Sequence, residues 1–180
     1  MDDTGDGGRL ADAEVAGDLL RAVVTGVEQF SSDARDPALA ALSEHGVAEP
    51  RGEEWYPLAP SLAAIEAVDA LVGEKGTFGL GRSLSRALAF PADATDVSAA
   101  LATLDEAYGA HHRGDAGGYA FRQIGDDDGR VECHTPYPCA FDRGVVEGVA
   151  ASFADGYVCL REVGVCRTDG AQRCTYEVTW

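Results

Sequence analysis

Five cysteines are the residues of this 180-residue chain best suited to chemistry, and all of them, Cys133, Cys139, Cys159, Cys166 and Cys174, lie beyond residue 132. A thiolate is both a nucleophile and a soft metal ligand. Cys166 and Cys174 flank seven residues with the turn-forming pair Asp169-Gly170 at their centre, so a hairpin of that length sets the two thiols near one another across its base. Glu162 stands four residues before Cys166, and an even separation in an extended strand puts both side chains on one face. Cys139, at the mouth of a helical pattern, completes a set of three thiols and one carboxylate if that helix packs its first turn against the hairpin. Zn²⁺ takes sulfur and oxygen ligands in a tetrahedron at about 2.0–2.3 Å, and a closed set of four is structural rather than hydrolytic. Packing is the competing reading, because free Cys is among the most buried residue types and Cys-x7-Cys is looser than the Cys-x2-Cys pairs of a zinc ribbon. Cys159 falls on the opposite strand face from Glu162 and reads as core. Cys133 reads as packing, with a ligand role as its alternative.

Other chemistries find no support in the residues. The glycines of Gly76-x2-Gly79-x-Gly81 sit inside a helical pattern, follow no strand and lack the Lys-Ser/Thr of a phosphate loop. There is no Gly-x-Ser-x-Gly elbow and no His-Glu-x2-His. A nucleophile built from Cys133 and His134 would have its two side chains on opposite strand faces. His111 and His112 close a helical pattern, where a cation suits the dipole.

The elements that must position these residues fall into two textures. Helical spacing runs from Leu10 to Phe30 through Leu19, Leu20, Val23 and Val27. A shorter helix spans Pro37 to His45, capped by Asp36 and ended by Gly46. Helical patterns cover Leu58 to Val72, then, past Gly73 and Gly76, Thr77 to Phe90, where Pro91 stops the chain. A fourth long helix runs from Asp96 to about His112, with Thr95 as its expected cap. Beyond Gly114 the runs Tyr119–Gln123 and Arg130–Thr135 read as a hairpin. Phe141, Val145, Val149 and Phe153 then keep a four-residue step that only a helix supports, over Cys139–Ala154. Strands Tyr157–Val165 and Cys174–Trp180 close the chain. The expected architecture is one α+β unit over residues 10–180: an antiparallel sheet of about four strands, a helical amino-terminal layer, and a β-hairpin–helix–β-hairpin carboxy-terminal third.

Charge excludes several partners. Asp and Glu number 31 against 14 Lys and Arg, a net charge of −17, and Lys75 is the one lysine. So acidic a surface repels nucleic acid and anionic membranes. In molar salt screening falls to roughly 3 Å, so crowded carboxylates repel one another little, and the acid excess reads as halophilic adaptation, with an acidic binding face as the alternative. No stretch approaches a membrane span. The acidic, Gly-rich residues 1–9 read as a short disordered leader rather than a signal peptide, which points to the cytoplasm. A reducing compartment favours metal or redox chemistry over disulfides for the cysteines.

The segment Cys139-x4-Gly144-x3-Gly148, followed by Glu162, Cys166, Gly170 and Cys174, resembles the 4-vinyl reductase domain. Its relatives include phenol- and xylene-sensing domains, methanogen output domains and, more distantly, haem nitric-oxide-binding domains and TRAPP vesicle-tethering subunits. The resemblance implies a usually dimeric, small-molecule-binding sensor fold, and zinc held by Cys139, Glu162, Cys166 and Cys174. The chain departs from the family pattern in one respect: three residues, Val163-Gly164-Val165, separate Glu162 from Cys166 where the pattern has two, and Gly164 can absorb the extra one as a bulge. A ligand pocket between helices and sheet would draw on Trp55, Tyr56, Phe78, Phe90, Tyr108, Phe121, Tyr137 and Phe141, aromatic bodies that apolar ligands favour and that equally build plain core. The tyrosine–serine–arginine cluster of the haem-binding branch is missing, so haem is not expected. The expected protein is a sensor or regulatory domain for a small hydrophobic ligand, acting through a homodimer or a separate output protein. The alternatives are an accessory enzyme of tetrapyrrole metabolism, which the family's name suggests and no residue supports, and a scaffold subunit using the fold for assembly.

Overall fold

In helix α1 (Gly17–Phe30), Leu19, Leu20, Val23 and Val27 return every three or four residues and are buried, so one apolar stripe faces the interior. The computed structural model describes residues 10–30, 35–47, 49–88 and 90–180; the leader expected at 1–9 lies outside them. Strand β1 (Glu14–Ala16) precedes α1, and α2 (Arg35–Glu44), β2 (Trp55–Pro57) and α3 (Leu58–Leu84) follow it. Helices α4 (Val97–Ala102) and α5 (Leu104–Gly109) lead to β3 (His112–Arg113). Then come β4 (Tyr119–Gln123), β5 (Asp128–Cys133), α6 (Cys139–Phe153), β6 (Cys159–Glu162) and β7 (Cys174–Thr179). The expected α+β class holds, with two antiparallel sheets rather than one: β2-β1-β3 and β4-β5-β7-β6.

The small sheet is absent from the sequence expectation. Leu10–Ala16 continues the helical spacing of α1, yet the chain turns at Ala11–Asp12 and is then a strand over Glu14–Ala16 that pairs Val15 with both Tyr56 and His112. Within this three-residue strand both Val15 and Ala16 are buried, so it carries no period that would distinguish it from a helical one. The fourth helix also differs. Asp96, not Thr95, is the cap, its carboxylate accepting from the Ala99 N–H at 2.8 Å. Thr103 breaks the helix, its hydroxyl donating to the carbonyls of Ala99 and Ala100 at 3.2 and 3.1 Å in competition with the backbone ladder. Helix α3 runs through the two expected segments but is interrupted at Gly73, whose φ of 69° is a left-handed conformation.

The four-stranded sheet positions the cysteines. Alternation along β5 and β7 buries Val131, Cys133, Cys174, Tyr176 and Val178 on the face covered by α6, while Arg130, Glu132 and Glu177 lie on the other. Register sets Cys133 opposite Cys174. Cys159 corrects the core expectation: it is exposed, because β6 is an edge strand whose residue packed on the core is Leu160. Helix α6 lies between this sheet and α3, and its glycines set the spacing. A Cβ on Gly144 would run into the Phe78 carbonyl, and one on Gly148 into Ser85 Oγ and the Arg82 carbonyl. Gly81 of α3 meets the Phe141 carbonyl in the same way. The Gly-x3-Gly spacing is thus a close helix crossing that holds the start of α6, and Cys139 with it, at the end of the sheet.

Candidate functional site

Three chain stretches deliver one sulfur each to a common point. Cys139 opens α6, Cys166 precedes a short 3₁₀ turn (Arg167–Asp169), and Cys174 opens β7. Gly170, with φ of 92°, reverses the chain between the last two. The Cys166 and Cys174 sulfurs are 2.6 Å apart and those of Cys174 and Cys139 3.3 Å, all three lying within 4.8 Å of one another. Cys166 and Cys174 are buried and Cys139 is half-buried. Burial, then hydrogen bonds from its two neighbours, push the Cys139 thiol up to about 12. Burial likewise raises Cys166, helped by hydrogen bonds with Cys174 and Glu162. Burial alone would raise Cys174 too, but its contacts with Cys166, with the Arg167 N–H and guanidinium and with Cys139 hold it below the ordinary thiol value. Thiolates this close would repel one another, and a bound cation would offset that repulsion.

Glu162 ends β6 and is exposed. Gly164, at φ of 82°, takes up the extra residue before Cys166, so the two residues do not share one strand face as expected. The Glu162 carboxylate is close enough to raise the Cys166 thiol but is not part of the group defined by the three sulfurs. Glu162, Cys139 and Cys166 all line an open cleft of about 640 Å³, whose far wall carries Glu66, Asp69 and Glu74 of α3.

Behind the thiols lies a charge pair that the sequence reading missed. Asp142, fully buried in the first turn of α6, accepts from the Tyr119 hydroxyl at 2.8 Å, the Thr135 hydroxyl at 2.7 Å and the Arg167 guanidinium at 2.6 Å. Burial pushes the carboxyl up to about 6, with Arg167, Thr135 and Tyr119 pulling the other way. Arg167 also donates to the Tyr137 carbonyl at 2.8 Å and, through its backbone N–H, to the Cys174 sulfur at 3.4 Å. One arginine therefore ties the cysteine turn to the buried aspartate and to the loop before Cys139.

The second feature is a partly open apolar pocket of about 20 Å³ lined by leucines of α1, α3 and α5 together with Tyr108, His112, Tyr119, Tyr137 and Phe141. Its polar handle is His112. The Tyr108 carbonyl can only accept, so Nδ1 at 2.9 Å carries the proton, and Nε2 receives the Tyr137 hydroxyl at 2.7 Å. Burial, with a smaller effect of His111, pushes His112 down to about 4, against the raising effect of the Tyr108 carbonyl. His112 therefore does not serve as a dipole-neutralising cation. His111, half-buried, meets Asp18 at 3.2 Å instead.

Among the aromatic residues singled out from sequence, Tyr108, Tyr137 and Phe141 line this cavity and the others lie elsewhere. Trp55 sits on the small sheet under the Arg113 guanidinium at 3.7 Å. The Tyr56 hydroxyl accepts from the Arg51 N–H at 2.9 Å and donates to Glu54 at 3.0 Å. Phe78 lies under Arg143 at 5.1 Å, Phe90 packs edge-on against Phe153 at 5.4 Å, and Phe121 is half-buried on β4 against Gly129.

No protein-family model matches the chain, and no curated protein matches it. Solved structures do. A single-substitution mutant of the T. tengcongensis H-NOX domain matches with a TM-score of 0.67 at 15% identity, covering 91% of this chain and 96% of that one. A mutant of an H-NOX protein from S. oneidensis, in the Fe(II) ligation state, matches at 0.67 and 14%, over 91% and 95%. An oxygen-binding H-NOX domain related to soluble guanylate cyclases matches at 0.63 and 15%, over 91% and 93%. At these identities the likeness speaks for the fold: over nine tenths of its length the chain is folded as H-NOX domains are.

Proposed function

We propose that this chain is a small-molecule-binding sensor domain whose carboxy-terminal hairpin is locked by a metal ion. The observation that carries the metal is the convergence of three sulfurs from separate stretches within 4.8 Å. Thiolates suit zinc, and Zn–S bonds of about 2.3 Å require sulfurs about 3.7 Å apart, a separation these side chains reach by small rotations. Cys139, Cys166 and Cys174 are the ligands, with Glu162 on the same cleft as the fourth. The ion, when bound, would supply the charge that stabilises more than one thiolate and would fix the start of α6 to the hairpin. Arg167 and Asp142 position the turn from behind.

The apolar pocket supports the sensor reading. It is apolar, lies between the helices and the sheet, and offers one hydrogen-bonding pair, His112 and Tyr137. As it stands it has room for about one water-sized group, so a larger apolar ligand with a single polar group would enter by displacing Tyr137 or Phe141. One structural neighbour concerns heme redox potential. The residues here do not fit that group: about 20 Å³ is far below the roughly 300–1,000 Å³ of an organic ligand site, and His112 Nε2 is taken by the Tyr137 hydroxyl. A homodimer or a separate output protein would carry the signal onward. Metal analysis of purified protein together with Cys174→Ala tests the reading. About one zinc per chain that the substitution abolishes supports it, and stable protein that takes up no zinc contradicts it.

A further inference from the structure

We propose that Cys166 and Cys174 form a peroxide-reactive dithiol, so that the same sulfurs serve either a metal ion or a disulfide. The separation of 2.6 Å carries the inference. It lies between the roughly 3.7 Å that a tetrahedral zinc centre imposes and the roughly 2.05 Å of an S–S bond, nearer to the latter. The backbone is compatible: the two residues face one another across the base of a tight turn that Gly170 closes. Access is supplied by the 640 Å³ cleft, which Cys166 and Cys139 line while Cys174 is fully buried behind them.

Those positions assign the roles. The Cys166 sulfur attacks one oxygen of hydrogen peroxide; an S–O bond forms as the O–O bond breaks, and the thiol proton leaves with the departing oxygen as water. The Cys174 sulfur then attacks the sulfenic sulfur; the S–S bond forms, the S–O bond breaks, and a second water leaves. Two thiols and one peroxide give one disulfide and two waters, the sulfurs losing two electrons to the peroxide. Cys139, on a different element, is left without sulfur partners, and the start of α6 keeps only its Arg167 and Tyr176 hydrogen bonds to the hairpin. Disulfide formation and metal binding exclude one another because they use the same sulfur electron pairs.

The inference shares its sulfurs with the proposed metal site, and the test separates the two. Protein stripped of metal under reductant and protein loaded with zinc are each treated with one equivalent of hydrogen peroxide, alkylated, and read by intact mass and peptide mapping. Metal-free protein should lose about 2 Da and two alkylatable thiols per chain, with the link mapped to Cys166–Cys174. Zinc should slow the reaction by about tenfold or more by occupying the sulfurs. Cys159→Ser should leave the link intact and Cys166→Ser should prevent it; if the latter does not fold, the map of the unsubstituted chain decides. Sulfinic acid without a link, a link through Cys139 or between chains, or an unchanged thiol count overturns the proposal. Failure to load zinc contradicts the metal reading, while the metal-free arm still reports on the dithiol.

Discussion

Replacing His112 with phenylalanine should remove a large pH dependence of stability. The imidazole is buried, stacked on Tyr108 at 3.8 Å, and held neutral between the Tyr108 carbonyl and the Tyr137 hydroxyl. Its affinity for a proton falls from the ordinary 6.5 to about 4 on folding. Between those values the unfolded chain binds a proton that the folded chain refuses. Stability contributed by the neutral ring is therefore complete above about 6.5 and is lost as pH falls towards 4, a difference of about 3 kcal/mol. Phenylalanine keeps the stacked ring, does not titrate, and leaves the Tyr137 hydroxyl without its acceptor. The variant should be less stable at neutral pH by about 1–3 kcal/mol. Urea unfolding of both proteins at fixed high salt, from about pH 7 down to about pH 4.5, reads the gap between them. The gap should close, and reverse in sign if the linkage is fully developed. A gap that stays constant across the range would refute the reasoning, because it would mean that the ring charges in the fold as readily as in water.

Two further perturbations test the framework around the thiols. Gly144→Ala and Gly148→Ala press a methyl group into the backbone or side chains of α3 and should each cost about 1–3 kcal/mol. Gly109→Ala, where a Cβ meets nothing within 4 Å, should be neutral or slightly stabilising; thermal unfolding that ranks the three alike would contradict the close crossing. Arg167→Met leaves Asp142 buried without its cation and should cost about 3–5 kcal/mol near pH 8. The loss should be smaller near pH 5, where the Asp142 carboxyl, raised to about 6, is protonated, and adding Asp142→Asn should recover part of it.

Helices and the second sheet were legible where the period ran long. The four-residue step of α6 and the alternation along β5 and β7 each extend over several repeats, so burial follows the pattern. Strands β1 and β2 have three residues and β3 two, too few for any period, and their pairing depends on chain segments some 40 to 100 residues apart. The thiols were legible because the hairpin that joins Cys166 to Cys174 is local and Cys139 opens a strongly periodic helix. Asp142 was not. An acidic residue in the first turn of a helix reads as an exposed partner of the dipole, and nothing local says that Arg167, 25 residues on, arrives to bury it. His112 was hidden for the same reason: its partner Tyr137 lies 25 residues away across the cavity.

The central claim is that the carboxy-terminal cysteines hold a metal ion that locks the hairpin to α6. Native mass spectrometry of the protein purified at high salt, repeated after chelation and paired with amide exchange across β6, β7 and the start of α6, tests it most directly. About one zinc per chain is expected, with faster exchange in those three segments once the metal is removed, because ligand geometry is coupled to folding. Protein that carries no zinc and exchanges identically with and without chelator would contradict the account.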